Sequence, residues 1–146
     1  MSSTLGADLL SVVARLNRLA TQRVRLPVPF AQARLLSTIE DHGAARISDL
    51  AALDHCSQPT MTTQVRRLED AGMVTRAPDP QDARAVLIRI TDAGVAALRQ
   101  ARADRGAVVD PYLEQLSESD RQTLTDAVVV MERLIEAATA PRTTAR

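Results

Sequence analysis

The stretch Ser57-Gln-Pro-Thr-Met-Thr-Thr-Gln-Val-Arg-Arg-Leu-Glu-Asp-Ala-Gly72 decides the fold. Ser57 is a good N-cap and Gly72 is typical of the position just after a helix, so the stretch predicts a helix from Gln58 to Ala71. Three apolar residues lie within about 60° of one another around that helix at 100° per residue, and they predict a buried face: Met61, Val65 and Leu68.

A second, shorter helix is predicted immediately before it. Ile47 to Asp54 has room for about two turns, with Ser48 expected to open the helix and Asp49 to lie in the first turn. A break at His55 and Cys56 then separates the two helices. Two helices joined by a tight break are typical of a helix-turn-helix.

A β-hairpin is predicted directly after Gly72. Met73 to Arg76 favours a strand, and Pro78 to Asp82 is rich in turn residues. A second strand follows, because apolar residues alternate with other residues at Val86, Ile88 and Ile90. A helix-turn-helix followed by a hairpin is a winged helix, and Arg84 lies near the tip of this wing.

Amphipathic helices flank the winged helix on both sides. Before it, the spacing predicts a helix from Asp8 to Val24, a proline-containing turn from Arg25 to Pro29, and a helix from Phe30 to His42 ended by Gly43. The chain is therefore expected to be mainly α, with a small β-hairpin wing and a helical region built from its N- and C-terminal helices.

Two further helices are predicted after the wing. Thr91 and Asp92 open the first, which runs toward Leu116 with a kink or break at Gly106 or Pro111. Ser117 begins the last helix in a pattern like a capping box, and Leu124, Val128, Met131 and Ile135 share one of its faces. Residues from about 139 to 146 are expected to form a flexible tail.

Composition limits the class of protein. The 146 residues fit one domain, 1–146, with a winged-helix lobe at about 30–91 and terminal helices at about 8–24 and 92–138. The chain has no apolar stretch long enough to span a bilayer and no secretory signal at its start, so we expect a cytoplasmic protein that does not enter membranes. The two aromatic residues, Phe30 and Tyr112, supply little base stacking for a single-strand binder.

Net charge argues against DNA binding, because it is zero and affinity for DNA rests on neutralised phosphates. The distribution of charge reduces this objection, since all 18 basic residues are Arg and none of the acids lies between Leu9 and Ile39. Arg donates two parallel hydrogen bonds to phosphate or guanine, which suits DNA recognition.

The outward face of the Gln58 helix carries short polar and basic side chains. Seen alone, this is the solvated face of an ordinary helix. With a wing beside it, the face predicts contact with the major groove, and Arg84 is expected to reach the adjacent minor groove while the wing aspartates Asp79 and Asp82 pair with it in the free protein. We expect bases to be approached by Thr60, Thr62, Thr63 and Arg66, with Pro59 on the same face, and phosphates to be contacted by Ser57, Gln58 and Arg67.

The run from Ser57 to Gly72 with the following Met73-Val-Thr-Arg76 resembles the recognition helix and first wing strand of the MarR family, the multiple antibiotic resistance regulators. Asp79-Pro-Gln-Asp-Ala-Arg84, leading into Val86 to Thr91 and Gly94, resembles that family's wing. The resemblance covers about residues 8–138. It implies a bacterial transcription regulator, a repressor that binds a pseudo-palindromic site in double-stranded DNA as a homodimer through its terminal helices.

The resemblance also implies release from DNA by a small lipophilic or phenolic effector. Candidate pocket residues are Leu16, Leu19, Phe30, Leu35 and Tyr112, although aromatics to line a pocket are few. Two alternatives remain open. Zero net charge fits a winged-helix module that binds a protein, and Cys56 allows a thiol-based redox sensor, although its place in the turn favours a small buried apolar residue.

Nothing in the sequence predicts catalysis, a cofactor or a metal site. Asp54, His55 and Cys56 are consecutive in a turn, where side chains diverge and do not form a catalytic dyad. His42 and His55 have no other ligands at metal-binding spacing. We therefore expect a protein that is not an enzyme.

Overall fold

The computed structural model describes residues 4–140 and is mainly α-helical. Within these residues six helices and three strands follow one another. In order they are α1 Leu5–Gln22, α2 Phe30–His42, β1 Ala44–Ala45, α3 Ile47–Leu53, α4 Gln58–Asp70, β2 Val74–Asp79, β3 Asp82–Ile90, α5 Asp92–Leu113 and α6 Glu118–Thr139.

The predicted caps of α4 are confirmed. The Ser57 hydroxyl accepts a hydrogen bond from the Thr60 backbone N–H at 3.2 Å. At the other end Gly72 has a φ of +72°, a conformation that favours glycine. Its N–H donates to the Glu69 carbonyl at 2.9 Å, so the helix ends where the sequence predicts.

The hydrophobic core lies between α2, α3, α4 and the sheet. Met61, Val65 and Leu68 are fully buried, as the spacing predicts. They belong to one cluster with core residues of α2, α3 and β3, including Leu36, Ile39, Leu50 and Ile88. The core therefore fixes which side of α4 faces outward.

The three strands form an antiparallel sheet in the order β1-β3-β2. The hairpin of β2 and β3 is the predicted wing, but its tip is shorter than expected, because Pro78 and Asp79 belong to β2. Pro78 is tolerated there because β2 is an edge strand with a hydrogen-bonded neighbour on one side, which is where proline occurs within sheets. The sequence does not reveal β1, since two alanines carry no strand pattern.

Two features of the helices correct the sequence prediction. Ser48 does not open α3, because the helix begins at Ile47 with Arg46 as its N-cap and the Asp49 carboxylate accepts the Arg46 N–H at 3.4 Å. The expected break in α5 is wrong, since the helix runs through Gly106 and Pro111 to Leu113. Pro111 lacks a backbone N–H, but it lies close to the end of α5, so the loss of one hydrogen bond does not end the helix there.

The chain divides into two compact units, the first ending at Val108 and the second starting at Val109. The second unit contains the end of α5 and all of α6. Ser117 caps α6 as predicted, accepting from the Asp120 N–H at 3.1 Å. Most of the expected flexible tail, 141–146, lies outside the described residues. Within residues 4–140 no helix is both long enough and apolar enough to cross a bilayer.

Gly94 supplies a test of the packing between the wing and α5. A Cβ at this position would lie 2.2 Å from the Met73 carbonyl oxygen, a backbone atom that cannot move aside cheaply. We expect Gly94→Ala to lower the free energy of unfolding by about 1–3 kcal/mol, measured by urea denaturation.

Gly106→Ala is the matched control for this substitution. A Cβ at Gly106 meets nothing within 4 Å, so it is expected to be neutral or to stabilise α5 by roughly 0.5–1 kcal/mol. Equal effects of the two substitutions would contradict the close approach at Gly94.

Candidate nucleic-acid interface and effector cavity

A tight turn sets the angle between α3 and α4. His55 has a φ of +51°, a left-handed conformation, and the Cys56 N–H donates to the Ala51 carbonyl at 3.0 Å. Cys56 is half-buried and packs against the hydrophobic core. The turn thus holds Ser57 at the start of α4, with its first backbone N–H groups at the protein surface.

The outward face of α4 carries the predicted contact residues. Thr62 is half-buried, and the other candidates on this helix and its cap are exposed: Ser57, Gln58, Pro59, Thr60, Thr63, Arg66 and Arg67. The buried ridge of Met61, Val65 and Leu68 lies on the opposite side. The outward face of the helix therefore carries Pro59, Thr63 and Arg66, and the other candidates lie at its cap or flank this face.

The hydroxyl groups on this face are already engaged. The Thr62 hydroxyl donates to the Gln58 carbonyl at 2.8 Å, and the Thr63 hydroxyl donates to the Pro59 carbonyl at 3.1 Å. The hydroxyls of Ser57 and Thr60 lie 2.8 Å apart and share a hydrogen bond. Each of these hydroxyl groups therefore takes part in a hydrogen bond within the helix or its cap.

The guanidinium groups on the same surface have no carboxylate partner. Over residues 4–140 no ion pair involves the side chains of Arg66, Arg67 or Arg84. The predicted bridge from Arg84 to Asp79 or Asp82 is wrong, because Asp79 binds another arginine and Asp82 accepts the backbone N–H of Arg84 at 3.0 Å. All three arginines are therefore available to an external anion.

Arg46 holds the tip end of strand β2 in the wing, a role that the sequence does not reveal. Its Nε and Nη2 atoms donate to the buried Asp79 Oδ2 at 2.9 and 2.5 Å, and the Gln81 N–H donates to Asp79 Oδ1 at 2.9 Å. The Gln81 N–H and then Arg46 lower the pKa of the Asp79 carboxyl below its usual range. Arg46 and Asp79 are 33 positions apart, so no local pattern could pair them.

Two further contacts connect α4 to the wing and to α5. Arg76 on β2 forms an ion pair with Glu69 on α4 at 2.6 Å. The Thr91 hydroxyl donates to the Gly72 carbonyl at 2.7 Å and accepts from the Gly94 N–H at 3.1 Å. The helix and the hairpin are thereby held as one surface.

A cavity of about 240 Å³ lies in the first unit, lined by α1, α2, α5 and the loop before α2. Its walls carry three arginines, which the sequence analysis does not predict. Arg34 is paired with Asp54 at 2.6 Å and Arg102 with Glu40 at 2.9 Å. The lining residues are Asn17, Leu26, Phe30, Ala33, Arg34, Ser37, Leu98, Ala101, Arg102 and Arg105.

Arg105 differs from the other two arginines. It forms no ion pair over residues 4–140, and its Nε is a buried donor without a hydrogen-bond partner. Its Nη2 donates to the Asn17 side-chain oxygen, and its guanidinium carbon lies 5.9 Å from the Phe30 ring centroid. The cavity wall thus contains a guanidinium group without an ion-pair partner beside an aromatic ring.

The five predicted pocket residues have different surroundings. Phe30 lines the cavity, whereas Leu35 is buried in the hydrophobic core. Leu16 and Leu19 line a shallower depression on α1. Tyr112 belongs to the second unit, where it is half-exposed. Leu35 thus lies on the side of α2 that faces the core, and Phe30 is the predicted residue that lines the cavity.

Comparisons with known proteins decide the family. The MarR family profile matches residues 30–86, which span α2 to most of the wing. The uncharacterized HTH-type transcriptional regulator Mb0904 of Mycobacterium bovis is 33% identical over 133 residues, covering 90% of this chain and 93% of that protein. The chain belongs to the MarR family. It is a DNA-binding transcription regulator, and the relatives with which it aligns are named as regulators rather than enzymes.

Solved MarR-like structures confirm the winged-helix fold. The Thermotoga maritima transcriptional regulator Tm0710 superposes with a TM-score of 0.70 at 23% identity, covering 92% of this chain and 95% of that one. A mutant of Staphylococcus aureus MepR bound to an oligodeoxyribonucleotide gives a TM-score of 0.63 at 20% identity, covering 92% and 99%.

No group of three or more potential metal-binding side chains occurs over residues 4–140.

The lowered pKa of Asp79 predicts a pH dependence of stability. A carboxyl with a depressed folded-state pKa stabilises the protein above its unfolded value of about 3.9, and the contribution disappears as the pH falls through the folded-state pKa. We expect the stability advantage of the wild type over Asp79→Asn to be constant above about pH 5 and to shrink as the pH falls through about 3.9 toward the lower folded-state pKa, measured by urea denaturation at each pH.

The control for this measurement is Asp41→Asn. Asp41 is exposed on α2 and forms no ion pair over residues 4–140. If Asp79→Asn and Asp41→Asn differed from the wild type by the same pH profile, the Arg46 and Gln81 contacts would not be the cause.

Proposed function

We propose that this regulator is a homodimeric repressor that binds a pseudo-palindromic DNA operator sequence-specifically and leaves it when a small effector binds. The observation that carries the proposal is the outward face of α4, where Arg66 and Arg67 have no carboxylate partner beside a wing that carries a third such arginine. Guanidinium groups without a carboxylate partner can donate paired hydrogen bonds to guanine or to phosphate. As a regulator of transcription it would act in the cytoplasm of a bacterium, where the chromosome is.

Contacts with the major groove, the phosphates and the minor groove are assigned to different residues of the helix and the wing. Arg66 lies on the outward face of α4 and reads a base edge in the major groove, while Gln58 and Arg67 bind phosphates. Arg84 enters the minor groove, where the negative potential is strongest in narrow tracts. The objection from zero net charge concerns the whole chain, whereas none of the five ion pairs over residues 4–140 uses Arg66, Arg67 or Arg84.

Dimerisation is supported by the exposed apolar residues of the terminal helices. No residue of α6 is buried within the chain, and Val130, Leu134 and Ile135 are 59%, 57% and 61% exposed. On α1, Val12 and Leu16 are also about half-exposed or more. Apolar surface of this extent marks an interface, and a two-fold dimer covers it with a second copy of the same surface.

Repression follows from the geometry of such a dimer. Two lobes related by a two-fold axis contact half-sites about one helical turn, roughly 34 Å, apart on DNA. A protein that occupies this length of a promoter excludes RNA polymerase from the same face of the duplex. We therefore propose that binding prevents transcription and that release restores it.

The cavity supports control by a small phenolic effector. Phe30 and Leu98 offer an apolar wall for a ring, and the Arg105 guanidinium, which forms no ion pair over residues 4–140, offers a positive charge for a phenol or phenolate oxygen. About 240 Å³ lies below the roughly 300–1,000 Å³ of pockets for drug-sized ligands, so the effector would be a single-ring compound.

The first test separates base reading from phosphate binding. Arg66→Ala is expected to cost about 1–3 kcal/mol on an operator selected from a random pool and much less on random DNA. Arg84→Ala should weaken binding to both duplexes and lower the salt dependence by about one phosphate contact. Fluorescence anisotropy across a range of salt concentrations measures both effects.

Arg99→Ala is the matched control, since Arg99 is exposed on α5 and outside the proposed surface. If Arg66→Ala and Arg84→Ala each lost the same affinity on the operator and on random DNA, the proposed division of roles would be contradicted. No binding to any duplex at low salt would favour the protein-interaction module instead.

The second test addresses the dimer. Val128 and Ile135 are about half-exposed on α6, so replacing both with Asp adds no buried charge to the isolated chain. In the proposed dimer the two carboxylates become buried at the interface, and we expect the variant to sediment as a monomer with helical content unchanged. Thr123→Asp places a charge on an exposed polar position of the same helix and should leave the dimer intact. A dimeric double variant would contradict the proposed interface.

The third test addresses the effector. A phenolic compound such as 4-hydroxybenzoate that releases the wild type from its operator should be needed at about tenfold or higher concentration with Arg105→Met, which keeps much of the side-chain volume and removes a charged donor. Arg99→Met, on the same helix, should respond as the wild type does. Release of Arg105→Met at the wild-type concentration would exclude Arg105 from the effector site.

A further inference from the structure

Hydrogen bonding within α4 determines which part of each threonine can contact DNA. The Thr63 hydroxyl donates to the Pro59 carbonyl at 3.1 Å, and Thr63 is exposed. Thr62 makes the equivalent bond to Gln58 at 2.8 Å but is half-buried, and the Thr60 hydroxyl is engaged with Ser57. Thr63 is thus the exposed threonine of the second turn, and its hydroxyl proton is already committed.

The methyl group is the part of Thr63 that the helix backbone does not engage. A threonine side chain branches into one hydroxyl and one methyl, and the hydroxyl that bonds back to the carbonyl four residues earlier loses its capacity to donate. In the major groove the apolar group that can meet a methyl is the C5-methyl of thymine, which distinguishes this base from cytosine and from the purines.

The neighbours of Thr63 extend this chemistry along one strip of α4. Pro59 lies one turn before Thr63 and Arg66 nearly one turn after it, all three exposed on the outward face. The Pro59 ring continues the apolar surface, and the unpaired Arg66 guanidinium suits guanine. Three residues advance about 4.5 Å along a helix, close to one or two base-pair steps of about 3.4 Å.

We propose that Thr63 reads thymine through its methyl group, at a position within about two base pairs of the guanine read by Arg66. The inference rests on the proposed sequence-specific DNA binding and adds the chemistry of one base contact. The competing chemistry is that the Thr63 oxygen, which still has a lone pair, accepts a hydrogen bond from the amino group of adenine or cytosine.

The experiment begins with duplexes that the wild-type protein selects from a random pool. Each thymine of one half-site is replaced in turn by deoxyuridine, which removes the C5-methyl and keeps every hydrogen-bonding group. We expect one position at which this replacement weakens wild-type binding by about fourfold, the effect of one buried methyl-sized group. Anisotropy titration gives the dissociation constants.

Two substitutions at Thr63 separate its methyl from its hydroxyl. Thr63→Val keeps a methyl and removes the hydroxyl, so it should bind the parent duplex as the wild type does and remain sensitive to deoxyuridine. Thr63→Ser keeps the hydroxyl and removes the methyl, so it should bind about fourfold more weakly and lose that sensitivity. Ser and Val differ little from Thr in helix propensity, so both variants should fold.

Thr123→Ser controls for the loss of a threonine methyl as such. Thr123 is exposed on α6, and its hydroxyl donates to the Ser119 carbonyl at 2.9 Å in the same manner. This variant should match the wild type on every duplex. Circular dichroism checks the helical content of each variant.

The possible failures are distinguishable. If the wild type selects no sequence, the proposed sequence-specific binding fails and this inference fails with it. If a palindrome is selected but deoxyuridine has no effect at any position, or the sensitive position stays sensitive in Thr63→Ser, methyl reading alone is overturned. Weak binding by Thr63→Val with wild-type binding by Thr63→Ser assigns the contact to the hydroxyl oxygen.

Discussion

The burial of one side of α4 is the constraint on which the recognition surface depends. Met61, Val65 and Leu68 have no exposed surface and pack in one cluster with residues of α2, α3 and β3. Full burial of side chains of this size contributes about 1.5–3 kcal/mol each. Any rotation of α4 about its axis would expose this ridge and bury an arginine, so the core sets the orientation of the outward residues of α4.

A second constraint holds the wing, and it is electrostatic. Arg46, just before α3, binds Asp79 near the end of β2, and the ion pair from Glu69 to Arg76 ties α4 to the same strand. Because Asp79 is engaged by Arg46, it does not neutralise Arg84. The contact that fixes the hairpin therefore also leaves the charge at its tip available to DNA.

Helix α2 connects the cavity between α1, α2 and α5 to the core that orients α4. Phe30, Arg34 and Ser37 line the cavity, while Leu36 and Ile39 of the same helix belong to the core cluster that contains the buried ridge of α4. A ligand that moved α2 would act directly on the packing that orients α4. Close-packed cores transmit such displacements because they contain few voids to absorb them.

The sequence alone determined the winged helix, because its signals are local. Ser57 and Gly72 bound α4, the spacing of Met61, Val65 and Leu68 fixes its buried face, and the alternation at Val86, Ile88 and Ile90 gives a strand of the wing. Caps and periodicity act within a few residues, so they can be read along the chain. The outward candidates on α4 follow from the same periodicity.

Only the tertiary structure decided which distant residues meet. Arg46 pairs with Asp79, strand β1 pairs with β3, and three arginines from α2 and α5 meet at the cavity. These contacts join segments far apart in sequence, and no local pattern encodes them. The same holds for Leu35, whose spacing fits either a pocket or a core and which the packing of α2 placed in the core. Local chemistry specified the elements, and long-range packing selected the partners of their polar side chains.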